Sequence, residues 1–228
     1  MISAVITASG QSERFGEDKL WQKIEGKPVI WWTINQFVNL EIIDEIVLVI
    51  KKENFDKFSE LTREWPDKIK LIFGGKERVL SVFEGIKAAK GEWVITHDGA
   101  RPLVTIELIK TLVAQIKNYK AVMTGLQVSS TVKEVSNMWV DRSFLRDKTW
   151  IAQTPQIFNR QMAIKAISTA IEDEYLVATD DSEFMTRLGF KVKMIPGEVE
   201  NIKITEPIDL ILAKQIIKKR REENEQNS

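Results

Sequence analysis

Short apolar runs alternate along this chain with segments whose apolar residues recur at helical spacing. Ala4-Val5-Ile6 opens the series as a short buried strand. Glu45 to Ile50 (E-I-V-L-V-I) is a near-continuous β-branched run, as expected of a central parallel strand covered on both faces. Ile69 to Phe73, Trp93 to Thr96, Ala121 to Leu126 and Lys191 to Ile195 read as further strands. Between them, Val29 to Val38 reads as a largely buried helix opened by Pro28, and Phe55 to Trp65 as an amphipathic one. Arg78 to Ala89 and Ile106 to Ile116 repeat the helical period, and another helix is expected from Arg160. Thr179-Asp180-Asp181-Ser182 reads as an N-cap leading into Glu183 to Leu188. Asn201-Ile202-Lys203-Ile204-Thr205 precedes a final helix that Thr205 could cap, with Pro207 in its first turn. Strands alternating with helices predict an α/β fold built on a doubly wound, mostly parallel sheet, in a single domain over 1–228.

One stretch breaks the rhythm. In 129–150, Thr131 to Val135 alternates, Ser136-Asn137 can turn, and Trp139-Val140-Asp141 returns. This predicts a protruding β-hairpin arm with exposed apolar residues. An isolated hairpin is marginal in water, so it needs something to pack against, either a second subunit or its own domain. The last stretch, Lys218 to Ser228, is charged and polar and is expected to fray into solvent.

Composition narrows the chemistry. Across 228 residues, 33 Lys and Arg balance 33 Asp and Glu, so no global field argues for nucleic acid or a membrane surface. Cysteine is absent, which excludes disulfides, thiolate catalysis and Cys-ligated metals, and fits a reducing compartment. No apolar run is long enough to span a membrane and no signal peptide is visible, so a cytoplasmic protein is the expectation. With one histidine, His97, two-histidine metal motifs are excluded and Ser-His-Asp catalysis has a single candidate base.

In open α/β sheets ligands bind beyond the carboxyl ends of the strands. Three loops are expected there. In the first, Ala8-Ser9-Gly10 let backbone amides approach a ligand, and Arg14 and Lys19 stand either side of Gly16 as cations suited to a polyphosphate. It is neither a P-loop nor a G-x-G-x-x-G fingerprint. In the second, Gly74-Gly75 permits close approach, with Arg78 and Ser81 following. In the third, Asp98 follows a strand and is placed to ligate Mg²⁺, Gly99 and Ala100 leave room for a sugar or base, and Arg101 either serves the site or pairs with a carboxylate. His97 reads as a satisfied structural histidine. Loop cations without a general base suit attack by a phosphate monoester on the α-phosphate of a nucleoside triphosphate, where positioning and charge stabilisation do the work.

Six motifs in order resemble the 2-C-methyl-D-erythritol 4-phosphate cytidylyltransferases: A-S-G-Q-S-E-R-F from Ala8, G-G-K-E-R-V-L-S from Gly74, H-D-G-A-R-P from His97, Q-T-P-Q-I-F from Gln153, T-D-D from Thr179 and N-I-K-I-T from Asn201. The resemblance implies a Rossmann-like nucleotidyltransferase that uses CTP, methylerythritol phosphate and Mg²⁺. It places Arg14, Lys19, Asp98 and Lys203 in catalysis, with Asp98 on the metal. It places Ala8, Ser9, Gly10, Gly74, Arg78, Ser81 and Gly99 at the nucleotide. It assigns Asp98, Arg101, Thr131, Arg146, Thr179 and Lys203 to the acceptor. It further implies a homodimer in which the arm crosses to the other subunit and lends Arg146. The chain departs from the family pattern at Ser9 and Gly99, where Ala is usual, and at Asp18-Lys19-Leu20, where Pro-Lys-Gln is frequent. Gly99 would add flexibility, and Asp18 would weaken triphosphate binding or help hold metal. A pentitol phosphate such as ribitol 5-phosphate is the alternative acceptor, and a non-catalytic nucleotide-binding protein the alternative class.

Overall fold

In the computed structural model, residues 1–10 and 15–226 are described. The chain opens with β1 (Ile2–Ala8), whose Ala4 and Ile6 pack on one side of the sheet and Val5 on the other. Two short strands, β2 (Lys23–Ile24) and β3 (Lys27–Pro28), form a ribbon around Glu25-Gly26, both at positive φ (48° and 78°) as a type I′ turn requires. Then follow α1 (Val29–Val38), β4 (Glu45–Ile50), α2 (Phe55–Leu61), β5 (Ile69–Phe73), α3 (Arg78–Ala88), β6 (Trp93–Asp98), α4 (Ile106–Ala114) and β7 (Ala121–Gln127). The arm is β8 (Lys133–Ser136) and β9 (Trp139–Ser143). The chain ends with β10 (Trp150–Asn159), α5 (Arg160–Glu172), α6 (Ser182–Arg187), β11 (Lys193–Pro196) and α7 (Pro207–Gln226).

The main sheet has the order β11-β7-β10-β6-β1-β4-β5. It is parallel among the described residues except at β10, which runs antiparallel to both β6 and β7. The exception has a local cause: β7 leads into the arm and β10 leads out of it. No helix crosses over between them, so the chain must return antiparallel. Pairing of β10 with β7 is interrupted between Gln153 and Gln156, around Pro155, which has no N–H to give to a ladder. Alternate residues of the central strands feed two cores. Ile46, Leu48 and Ile50 face the side covered by α1, α2 and α4, while Val47 and Val49 face the side covered by α3, α5 and α6.

Register places the candidate loops together. Thr7 of β1 pairs with Asp98 of β6, Ala8 with Ile50, and Ile50 with Phe73 of β5. Four strands, β1, β4, β5 and β6, thus end level with one another, and the loops after Ala8, Phe73 and Asp98 open on the same edge.

Three sequence expectations change. The charged tail does not fray from Lys218: α7 continues to Gln226, supported by Lys218–Glu222 and Lys219–Glu223 pairs one turn apart and by Arg220, which grips Glu200 (2.8 Å) and the Leu103 carbonyl (3.0 Å). Capping of α7 is reversed: Asp209 reaches back and accepts from the Thr205 amide, the Thr205 hydroxyl and the Glu206 amide. The arm turns at Asn137-Met138 rather than Ser136-Asn137. Both residues carry positive φ (50° and 68°), a conformation that Asn adopts more readily than most residues with a side chain.

The arm does not fold back over its own domain. Val135, Met138, Trp139, Val140 and Leu145 are all exposed, Met138 by 92% and Trp139 by 79%. A soluble surface rarely leaves so contiguous an apolar set uncovered.

Candidate active site

The three loops enclose a cleft of about 240 Å³. Thr7, Ser9 and Gly10 come from the end of β1, Lys19 and Leu20 from the following turn, and Gly75 to Arg78 with Ser81 from the start of α3. Asp98, Gly99 and Ala100 follow β6, and Lys203 enters from the segment before α7.

Small residues set the cleft's shape. A Cβ at Gly74 would stand 2.6 Å from the Ser81 Oγ and 2.9 Å from the Ser9 Cβ, so glycine lets the first two loops meet. Ser9 Oγ then donates to Ser81 Oγ (2.9 Å), and Ser81 to the Gly75 carbonyl (3.2 Å). Gly99 is likewise a close approach and not spare flexibility. Its amide donates to the Thr7 carbonyl at 2.9 Å, and a Cβ would lie 2.8 Å from that oxygen. Lys19 stands on a single turn, Lys19–Trp21, capped by Asp18, which accepts from the Leu20 amide (3.3 Å). Asp18 therefore serves the turn that presents Lys19 and does not line the cleft.

Asp98 is the electrostatic centre. Its Oδ2 accepts from Lys203 Nζ (3.0 Å) and Arg101 Nε (3.2 Å), while Oδ1 lies 3.9 Å from Arg78 Nη2. Burial would push the carboxyl up, but Lys203, Arg78 and Arg101 together hold it well below the usual carboxylate range. Asp98 is thus an anion throughout the working pH range.

Behind it, the Gln153 to Phe158 motif proves to be scaffolding. The Asp98 amide donates to Thr154 Oγ1 (3.1 Å), which leaves the threonine proton for His97 Nδ1 (3.1 Å). His97 Nε2–H then donates to the Arg101 carbonyl (3.2 Å). Asn201 donates to the Thr154 carbonyl (2.8 Å) and Gln153 to the Glu198 carbonyl (2.9 Å), which fixes the segment that carries Lys203. His97 is 1% exposed with both ring nitrogens engaged, so it is the structural histidine that was expected.

Burial pushes the His97 imidazole down to about 4 from 6.5. Between those two values the unfolded chain takes up a proton that the folded chain refuses. Stability therefore falls as pH drops from about 6.5 to about 4, by roughly 3 kcal/mol for this group. Melting temperature followed against pH in the wild type and in His97→Gln is expected to show this slope in the former and to lose it in the latter; parallel curves would contradict the burial of a neutral ring.

Of the sequence candidates, Ser9, Gly10, Lys19, Arg78, Ser81, Asp98, Gly99 and Lys203 meet at the cleft. Arg14 lies outside the described residues. Ala8 and Gly74 are packed behind the cleft wall and not on it. Arg101 is also behind, its side chain 11% exposed and fastened to Asp98 and to the Asn201 carbonyl (2.8 Å), so it supports the loop without reaching the open space. Thr131, Arg146 and Thr179 are exposed and outside the cleft. The sequence reading missed Asp181. It sits where the N-cap was expected but makes no cap hydrogen bond; Asp180 accepts from the Ser182 amide (2.8 Å) and Asp181 pairs with Arg78 (2.7 Å). The aspartate pair was the available signal, since one helix start needs only one cap.

Among the described residues no group of three or more His, Cys, Asp or Glu could hold a metal ion. Asp98 offers a cation one oxygen, Oδ1, because Oδ2 is taken. That donor set fits Mg²⁺ carried mainly by substrate phosphates, and it does not fit a metal held by protein alone.

The architecture agrees with comparisons to known proteins. The family described as IspD, 2-C-methyl-D-erythritol 4-phosphate cytidylyltransferase, matches residues 2–219. The chain is 39% identical over 227 residues to the enzyme of that name from Caldanaerobacter subterraneus subsp. tengcongensis, covering 96% of this chain and 99% of the relative. It is 40% identical over 223 residues to that of Clostridioides difficile, covering 95% and 94%. The crystal structure of 4-diphosphocytidyl-2C-methyl-D-erythritol synthase from Anaerococcus prevotii superposes with a TM-score of 0.86 at 34% identity, covering 95% of this chain and 96% of that one.

Proposed function

This chain belongs to the 2-C-methyl-D-erythritol 4-phosphate cytidylyltransferase family, and from that premise we infer that it transfers a cytidylyl group from CTP to 2-C-methyl-D-erythritol 4-phosphate, a step of non-mevalonate isoprenoid synthesis. The carrying observation is a cleft in which Lys19, Arg78 and Lys203 surround the buried anion Asp98, with His97 engaged at both ring nitrogens behind it. The acceptor's phosphate oxygen attacks the α-phosphorus of CTP, the bond to the β-phosphate breaks, and pyrophosphate leaves. No proton needs to move, because the phosphate monoester is already an anion near neutral pH. Catalysis then consists of alignment and charge neutralisation. Lys19 faces the triphosphate and stabilises charge at the α-phosphate, with Arg14 expected to act beside it. Ser9, Gly10 and Gly75 line the nucleotide's path. Asp98 takes acceptor hydroxyls and orients Lys203 toward the reacting phosphates.

Mg²⁺ is the proposed cofactor; Asp98 would help hold it together with the substrate's phosphates, and when bound it would neutralise triphosphate charge and make the phosphorus more electrophilic. We also propose a cytoplasmic homodimer. The exposed apolar arm supports the dimer, the absence of cysteine suits a reducing compartment, and no helix among the described residues is long and apolar enough to cross a membrane.

The test of the function is pyrophosphate release from CTP and Mg²⁺, with methylerythritol 4-phosphate or ribitol 5-phosphate at equal concentration. Preference for the first is expected; preference for the second would move the acceptor assignment to pentitol phosphates and keep the mechanism. Protection by CTP against heat with no pyrophosphate would point to a binding protein.

Arg146 tests the shared site. It is exposed in its own subunit and, among the described residues, its side chain donates to the Ser129 carbonyl at 3.5 Å. Arg146→Ala is expected to raise the acceptor KM at least about tenfold, as for loss of a charged contact worth about 1.4 kcal/mol or more, and to leave the CTP KM unchanged. Mixing it with Lys19→Ala is expected to restore part of the activity through hybrid dimers. Full subunit exchange without recovery would exclude an arm that reaches the other subunit's cleft.

A further inference from the structure

Arg78 stands between two carboxylates, and the distances are unequal. Its Nη1 is 2.7 Å from Asp181 Oδ1, while its Nη2 is 3.9 Å from Asp98 Oδ1, beyond hydrogen-bond reach. Asp181 is 2% exposed, and its second oxygen, Oδ2, has no hydrogen-bond partner among the described residues. A buried carboxylate with one bare oxygen is costly, and nothing in α6 needs it, since Asp180 already caps that helix start. What the arrangement secures is the place of Arg78. A guanidinium free to choose would close on Asp98, the other buried anion within reach, and cover Oδ1, the oxygen that still faces the cleft.

We propose that Asp181 is a positioning residue for the transfer reaction: it holds Arg78 back from Asp98, so that Asp98 Oδ1 stays open to substrate and the guanidinium stays at the cleft wall. The claim rests on the functional reading above for its kinetic part and on geometry alone for its structural part. It also connects the Thr179 to Ser182 turn to the nucleotide loop across 103 positions of sequence, a contact that makes order in one depend on order in the other.

The test is a double-mutant cycle on Asp181→Asn and Arg78→Gln, with a crystal structure of Asp181→Asn. In that structure Arg78 is expected to move onto Asp98, bringing Nη within about 3.2 Å of Oδ1; a separation still near 3.9 Å would overturn the proposal whatever the enzyme's substrate. Asp181→Asn is expected to lower kcat/KM for pyrophosphate release by about tenfold to hundredfold, the scale of a misplaced positioning group. In the Arg78→Gln background the same change is expected to cost less than about threefold, because it then has nothing to restrain. An equal loss in both backgrounds would make Asp181 a structural residue of α6. If Asp181→Asn alone fails to fold, the double variant carries the test: with both charges gone it should fold and match Arg78→Gln, and a further loss would overturn the proposal. A wild type that releases no pyrophosphate refutes the functional reading instead, and leaves the structural arm to decide the role of Asp181.

Discussion

Asp98→Asn abolishes most of the activity and destabilises the protein as well. Pyrophosphate release is expected to fall by about 10³-fold in kcat/KM, the scale seen when a preorganised charge is removed from a transition-state site. The amide keeps the shape of the carboxylate, so the loss reports charge. The structural cost arises because Asp98 balances three cations, with Lys203 at 3.0 Å and Arg101 at 3.2 Å. Breaking a buried pair at one end costs about 3 kcal/mol, toward the lower end of the usual range here, because the Lys203 and Arg78 side chains are about one-third exposed (36% and 33%) and water can take up part of their charge. For a chain of this size that corresponds to a fall of roughly 6–12 °C in melting temperature. Steady-state kinetics and calorimetry on the purified variant decide both parts. Wild-type turnover would remove Asp98 from the mechanism, and an unchanged melting temperature would show that its ion pairs add nothing to the fold. Because the carboxyl is held low, its contribution is present above about 3.8 and is lost only as pH falls below that.

Lys19→Ala produces the opposite balance, a large catalytic loss with little change in stability. Lys19 is half-buried on a one-turn element, and the turn is organised by Asp18, by the buried Leu20 and by Trp21, which packs at a tilt against Phe58 with centroids 4.9 Å apart. None of these depends on the lysine's charge. The substitution is expected to lower kcat by about 10²- to 10³-fold, because an ammonium aimed at the α-phosphate matters most when charge develops there. Stability is expected to fall by no more than about 1 kcal/mol, the part lost being the lysine's attraction to the partly exposed Asp209 at the start of α7. The acceptor KM should hold, since Lys203 and Arg146, the cations proposed for the acceptor, are untouched. Lys19→Arg would recover part of the rate if charge alone were needed, although the longer planar group presents it differently. A fall in melting temperature comparable to that of Asp98→Asn would place Lys19 in the fold, and an unaltered kcat would displace it from the α-phosphate.

The central strands were legible because their signal is local. A run such as Glu45 to Ile50 is apolar at successive positions only when both faces are covered, and the structure buries Val47 and Val49 in one core and Ile46, Leu48 and Ile50 in the other. The arm was legible for a related reason: alternation with no matching cover predicted exposed apolar residues, and Trp139 and Met138 are exposed. The misreadings fall where local pattern and tertiary contact compete. Lys218 to Gln226 looks like a solvated tail by composition, yet Arg220 ties it to Glu200 and it remains helical. Thr179 to Ser182 looks like an ordinary cap, yet only one of its two aspartates caps.

By itself the sequence determined the alternation of strands and helices, the three loops at the carboxyl ends of the sheet, and the residue types in them, because each depends on neighbours within a few positions. The tertiary structure alone decided which of those residues meet. Register between β1, β5 and β6 brought Lys19, Arg78 and Asp98 to one cleft, and the Gln153–Asn201 scaffold carried Lys203 to the same point. It also turned Arg101 inward, sent Asp181 to Arg78, and buried His97 as a neutral ring. These outcomes depend on distance and burial between residues far apart in sequence, and the balance of charge against desolvation at such a site is a property of the packed whole.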